Sequence, residues 1–269
     1  MSTDGRSTDA TNADPGLESA AFVRLVTRAD GDALAASGIL AQALTQRDTP
    51  FQVTVGRTVT ERTRRAEAAE ADRGDGDLTL VVGAVDADLP RLDADDRPAT
   101  LSAVDRVRAL GGTPDPVLAL AGLVAAGVEP GAGESERILE AARERDLVDR
   151  RPGVAVPTSD PAVGIAHSTR LHGPWSGDPD AVRETLAEAG VPVEPGATDL
   201  AEDDRRTIAS VVALDAVGDD AASEGAAAAI RDGLFPYATP GDAPFATVGG
   251  VADVLEATAR LEPGTGAAL

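Results

Sequence analysis

The chain has 269 residues, and its 46 Asp and Glu outnumber 24 basic residues, every one of them Arg, for a formal net charge of −22. Cysteine is absent, which excludes a disulfide framework, a zinc–thiolate site and a thiol nucleophile; no apolar run reaches the ~18 residues that would span a membrane. With 42% hydrophobic but only 2% aromatic residues, the chain can bury a core, built from Ala, Val, Leu and Ile.

Residues 1–20 read as an acidic, disordered tail without the apolar centre of a signal peptide, and a cytoplasmic location is expected. The apolar run Phe22, Val23, Leu25, Val26 predicts a strand over 22–28. It ends in Asp30-Gly31-Asp32, and a small-residue helix follows over 33–46. Thr49–Val55 alternates as a second strand. Residues 58–71, rich in Arg, Glu and Ala, predict an exposed helix or a long loop. Asp75-Gly76-Asp77 marks a turn, and Leu78–Val85 is a continuous apolar run, as a strand buried on both faces requires. Asp86 and Asp88 follow it directly.

Helices are predicted over 101–110, stopped by Gly111-Gly112, and over 117–126, opened by Asp115-Pro116 and stopped by Gly127. The second is apolar nearly all round and should be buried. Residues 134–149 predict a charged amphipathic helix. Alternating strands and helices imply an α/β domain over 21–150, a parallel sheet with flanking helices. Beyond residue 151 Pro and Gly become frequent, so a smaller α/β subdomain is expected over 151–269. Its elements are a short strand at 154–156, helices at 180–189, 203–216 and 221–231, and a last helix at 251–260 after Gly249-Gly250.

Chemistry is expected first at the turn after the opening strand. Asp30 and Asp32 can converge on one hard divalent cation, since Mg²⁺ and Mn²⁺ favour oxygen ligands. The carboxyl ends of strands are also where open α/β sheets bind ligands. The plain alternative is a turn and helix N-cap, for which Asp is equally suited.

The stretch Arg28-Ala29-Asp30-Gly31-Asp32-Ala33, followed by Leu34-Ala35-Ala36-Ser37-Gly38-Ile39-Leu40, resembles the opening motif of the DHH phosphoesterase superfamily. That family, which includes the RecJ single-strand exonucleases, has a strand, then His-x-Asp-x-Asp-Gly, then a small-residue helix. Here Arg28 stands in place of the family His and Ala33 in place of its Gly. The resemblance implies a DHH-like fold. It implies Asp30, Asp32 and Asp86 as ligands of Mn²⁺ or Mg²⁺, if the protein is active, and single-stranded nucleic acid as substrate. The Asp-His-His motif is missing, and Val128-Glu129-Pro130 stands where a fourth-motif Asp is expected. Arg28, His167-Ser168-Thr169 and Gly249-Gly250 are the candidate nucleic-acid contacts, the last two falling where the family's C-terminal subdomain has its entry segment and glycine-rich turn. The acid-rich, Lys-free composition resembles that of haloarchaeal proteins.

Two-metal phosphodiester cleavage needs several carboxylates and imidazoles holding ions about 3.5–4 Å apart. This chain's two histidines, His167 and His172, both lie outside the first domain. Arg28 places a fixed positive charge where a ligand would sit. Two functions therefore stay open: a metal-dependent exonuclease of DNA replication or repair, and a scaffold or single-strand binder of the same descent without nuclease activity, in contact with replication proteins. A haloacid-dehalogenase-like phosphatase is a distant third, because Leu34 stands where that family has Thr or Val. Trp175 reads as a packing anchor or a base-stacking ring. The Arg57, Arg62, Arg64, Arg65 cluster reads as a solvated helix face paired with Glu61 and Glu67, and Arg150-Arg151 is a smaller basic pair.

Overall fold

The computed structural model describes residues 15–92, 97–191, 193–194, 200–218 and 233–266. Three parallel strands flanked by helices form the central sheet, as the alternating pattern predicts: β1 (Phe22–Arg28), β2 (Phe51–Gly56) and β3 (Asp77–Val82), in the order β2-β1-β3. The register runs from Val23↔Phe51 to Arg28↔Gly56 on one side of β1 and from Phe22↔Asp77 to Thr27↔Val82 on the other. Paired at both edges and covered by helices on both faces, β1 is buried on all sides, which explains its apolar run. Val23 and Leu25 enter the large core on the face of helix α2 (Gly31–Gln46), and Val26 packs with Ala66 of helix α3 (Val59–Ala71) on the opposite face.

Helix α2 is buried along most of its length because its side chains are small: Ala33, Ala35, Ala36 and Ser37 sit where neighbouring helices cross. Helices α4 (Ala99–Ala109) and α5 (Pro116–Ala125) pack on it. Asp115 caps α5, accepting from the Val117 and Leu118 N–H groups, with Pro116 at the first helical position. Gly111 and Gly127, both at positive φ, end these two helices.

Several elements differ from the sequence reading. A first helix falls inside the expected tail: α1 (Pro15–Ser19) buries Leu17. Strand β3 stops at Val82, since Gly83 takes φ +117°. The helix expected through 149 is shorter, α6 (Glu136–Glu144) after a 3₁₀ turn at Gly133–Ser135. Asp146 adopts φ +54°, and the released residues Asp149–Arg150 (β4) pair antiparallel with Tyr237–Ala238 (β5). Val154–Val156 is not a strand: Val154 makes a single bridge to Leu234, and the Val156 N–H turns back onto the Val154 carbonyl. The helix expected over 221–231 lies outside the described residues.

A second core runs from Val154 to Val212. It gathers α7 (Pro161–Ala166), α8 (Pro179–Glu188) and α9 (Glu202–Gly218) around Ile165, Trp175, Leu186 and Ile208. The chain then returns. Helix α10 (Val248–Leu261), followed by α11 (Pro263–Gly266), packs on α5 and α2, so Val248, Ala252, Leu255 and Ala259 belong to the first core. The expected unit 151–269 is thus shared between two cores. Among the described residues no helix is long and apolar enough to cross a membrane.

Candidate site at the carboxyl end of the parallel sheet

The turn joining β1 to α2 holds the two aspartates, and each of their carboxylate oxygens already faces a donor of the protein. Asp30 has extended backbone angles and caps α2, its Oδ1 accepting from the Ala33 N–H at 2.9 Å. The Arg28 guanidinium clamps the same carboxylate, with Nε donating to Oδ2 and Nη2 3.4 Å from Oδ1. Asp32 lies 3.9 Å from Arg28 Nη2 through its Oδ2, but its hydrogen bonds go to another helix. Only 6% exposed, it accepts from the Ala99 N–H at 2.8 Å and the Thr100 N–H at 2.9 Å. Those are the first N–H groups of α4, whose own N-cap residue, Pro98, supplies no side-chain bond. Asp32 therefore caps a helix 67 residues further along the chain. Burial holds its carboxyl above the usual range; the Thr100 and Ala99 bonds oppose that rise, and the Asp30 charge adds to it.

A third carboxylate joins from the far end of the sequence. Glu256 on α10 accepts from the Gly31 N–H at 2.9 Å. Gly31 has to be glycine here, because a Cβ would stand 2.7 Å from Ala125 Cβ and 2.8 Å from Glu256 Oε1. Nothing local in the sequence signals this contact, which spans 225 residues.

Two arginines close the crevice beyond the strand ends. Arg28 lies against Gly83, where an added Cβ would meet Arg28 Cβ at 2.9 Å and Arg62 Nε at 3.6 Å. Arg62 is not on a solvated helix face as expected. It is 3% exposed, donating to the Ala84 carbonyl at 3.0 Å and the Gly56 carbonyl at 3.1 Å, the chain just beyond β3 and the last residue of β2. Of that basic cluster, Arg65 does pair with Glu61, at 2.5 Å.

Asp86 is exposed, and its N–H donates to Thr63 Oγ1. Asp30, Asp32 and Asp86 form no cation cage: among the described residues no three His, Cys, Asp or Glu come together in a group able to hold a metal ion. The residues present do not fit a two-metal centre. The turn's carboxylates are engaged by backbone N–H groups, and the fixed positive charges of Arg28 and Arg62 beside the strand ends disfavour a cation there.

Of the candidate nucleic-acid contacts beyond Arg28, Ser168, Thr169 and Gly250 have partners within the fold. His167 is exposed at the end of α7, and Ser168 Oγ accepts from the Arg170 and Leu171 N–H groups. Thr169 donates its N–H and hydroxyl to buried Asp253 of α10. Gly249 and Gly250 lie within the first turn of α10, not ahead of it. The Gly250 N–H donates to Thr247 Oγ1, and a Cβ there would meet the Val156 carbonyl at 2.3 Å, so these glycines serve close packing. Glu256, through which α10 reaches the acidic turn, lies about 10 Å along the helix axis from Gly249. Trp175 is buried and donates from Nε1 to Asp215, a packing anchor and not a stacking platform.

No protein-family model matches the chain. An uncharacterized protein of Haloarcula marismortui is 45% identical over 255 residues, an alignment covering 94% of this chain and 61% of that protein. The chain thus spans about three-fifths of the length of that curated relative. Among solved structures, CDC45 from Entamoeba histolytica aligns at 9% identity and TM-score 0.44, over 95% of this chain and 72% of that one. Exonuclease RecJ bound to manganese aligns at 14% identity and TM-score 0.33, over 93% and 66%. RecJ in complex with Mn²⁺ from Thermus thermophilus aligns at 17% and 0.31, over 93% and 38%.

Proposed function

We propose that this chain is a RecJ-like protein of DNA replication or repair that does not cleave phosphodiesters and acts as a non-catalytic component of such assemblies. Its likeness to the DHH superfamily rests on residues 28–40, the strand end, the acidic turn and the small-residue helix. The observation that carries the loss of catalysis is the use made of that turn. Asp30 is clamped by Arg28, Asp32 caps α4, and Arg62 fills the strand ends. A metal-bound hydroxide needs free carboxylate oxygens and a site without fixed positive charge.

The test is a degradation assay on single-stranded DNA and RNA with Mn²⁺ or Mg²⁺ in molar KCl, paired with affinity purification from a halophilic host. The expected outcome is intact substrate at every metal concentration and co-purification of replication or repair proteins. Metal-dependent degradation that disappears in Asp30→Ala would overturn the reading.

A further inference from the structure

The basic pair Arg150-Arg151 splits on folding. Arg150 is engaged: its guanidinium lies 5.3 Å from the Tyr237 ring centroid, and its Nε donates to the Phe235 carbonyl. Arg151 instead lines a groove of about 840 Å³ together with Arg205 from α9. Among the described residues no carboxylate lines that groove, and neither guanidinium makes an ion pair or side-chain hydrogen bond. In a chain whose acids exceed its arginines by 22 (46 minus 24), two guanidiniums lining one groove with no carboxylate among its described lining residues are an exception that the overall charge balance does not explain. Their proximity is unfavourable as it stands. Burial first, and then the Arg205 charge, push the Arg151 guanidinium below its ordinary value, with the Asp149 charge opposing.

The rest of the groove says what would relieve this. Thr158 and Ser159 bring hydroxyls; Thr158 Oγ1 accepts from the Asp160 N–H, which leaves its own O–H available to donate. Phe245, with Pro240 and Pro244, gives the groove an apolar side. Thr239 donates to the Phe245 carbonyl and fixes that loop. Two planar forks and hydroxyl donors suit a multiply charged oxyanion, and an aromatic ring beside them suits a flat heterocycle. The volume falls within the usual range for a small-molecule site.

We propose that Arg151 and Arg205 form a binding site for the phosphate of a nucleotide, free or at the end of a single strand, whose base lies toward Phe245. The site is separate from the acidic turn, so it stands whether or not the chain cleaves phosphodiesters. At about 1 M salt the Debye length is roughly 3 Å, so only direct contact, not long-range attraction, can hold such a ligand.

Calorimetric titration of the full chain in molar KCl tests this with inorganic phosphate, adenosine, AMP, and a single strand with and without a 5′-phosphate. AMP should bind more tightly than inorganic phosphate, and adenosine least. Arg151→Gln and Arg205→Gln should each weaken AMP about tenfold or more, Arg205→Lys less, and Arg64→Gln not at all. Competition by the 5′-phosphorylated strand, and not by the 5′-hydroxyl strand, would assign the phosphate to a strand end; its absence would assign a free nucleotide. Thermal midpoints without ligand serve as the second readout. Removing one of two like charges should leave the midpoint unchanged or higher. A parent chain that fails to bind AMP, or Gln variants that bind it as the parent does, would overturn the proposal.

Discussion

Asp32 shows how one carboxylate can be diverted from chemistry to architecture. Its two oxygens receive the Ala99 and Thr100 N–H groups, and Thr100 Oγ1 returns a bond to the Asp32 carbonyl. Asp32→Ala would leave two buried donors without partners, at a cost of about 2–4 kcal/mol. Asp32→Asn keeps one acceptor oxygen but turns an NH₂ toward the other donor, so about 1–2 kcal/mol is expected. Denaturant unfolding in molar KCl measures both. The pH dependence has a definite sign. The folded carboxyl is held above its ordinary value of 3.8, so the folded state binds the proton more readily than the unfolded state. The advantage of parent over Asp32→Ala should therefore be fullest below that value and shrink as pH rises through the raised folded pKa. An advantage that grows with pH would mean the two N–H bonds outweigh burial.

At the scale of elements, the contact among α2, α4 and α5 depends on a missing side chain. A Cβ at Gly122 would stand 2.2 Å from Thr100 Oγ1 and 2.5 Å from Ala35 Cβ. Gly122→Ala gains about 1 kcal/mol of helix propensity but forces α5 away from both neighbours, and a net loss of about 1–3 kcal/mol is expected by denaturant unfolding. Gly127→Ala is the contrasting variant. Nothing lies within 4 Å of that position, and only its φ of +79° resists, for about 1–2 kcal/mol. If Gly122→Ala is neutral, the helices are not held this closely. These elements were legible because their signals are local: the apolar runs of β1 and β3, and the Asp115-Pro116 pair that opens α5. What stayed hidden is long-range or conformational. The stripe containing Arg62 reads as solvated until the carbonyls of Gly56 and Ala84 claim its guanidinium. Glu256 carries no mark of its link to Gly31. The left-handed turn at Asp146 leaves no local signature strong enough to end the helical pattern early.

For the whole molecule the decisive quantity is charge. Ion pairs such as those of Arg206 with Glu202 and Asp203 are exposed, and exposed pairs are worth about 0–1 kcal/mol each. Salt weakens them. It also weakens the repulsion among carboxylates, of which at least 22 (46 minus 24) have no Arg to themselves. The two effects oppose each other, and the excess of acid decides the sign. Stability should rise with KCl, most steeply where the Debye length falls from about 10 Å near 0.1 M to about 3 Å near 1 M. Thermal unfolding across that range checks this. Glu67, Asp72 and Asp75 are exposed and make no ion pair with the described residues. Neutralising them with Glu67→Gln, Asp72→Asn and Asp75→Asn should flatten the dependence and move it to lower salt, because fewer like charges remain to be screened. A melting temperature that falls as KCl is added would instead place the net electrostatic stability in the ion pairs, and the neutralised variant would then leave the salt dependence as steep as before.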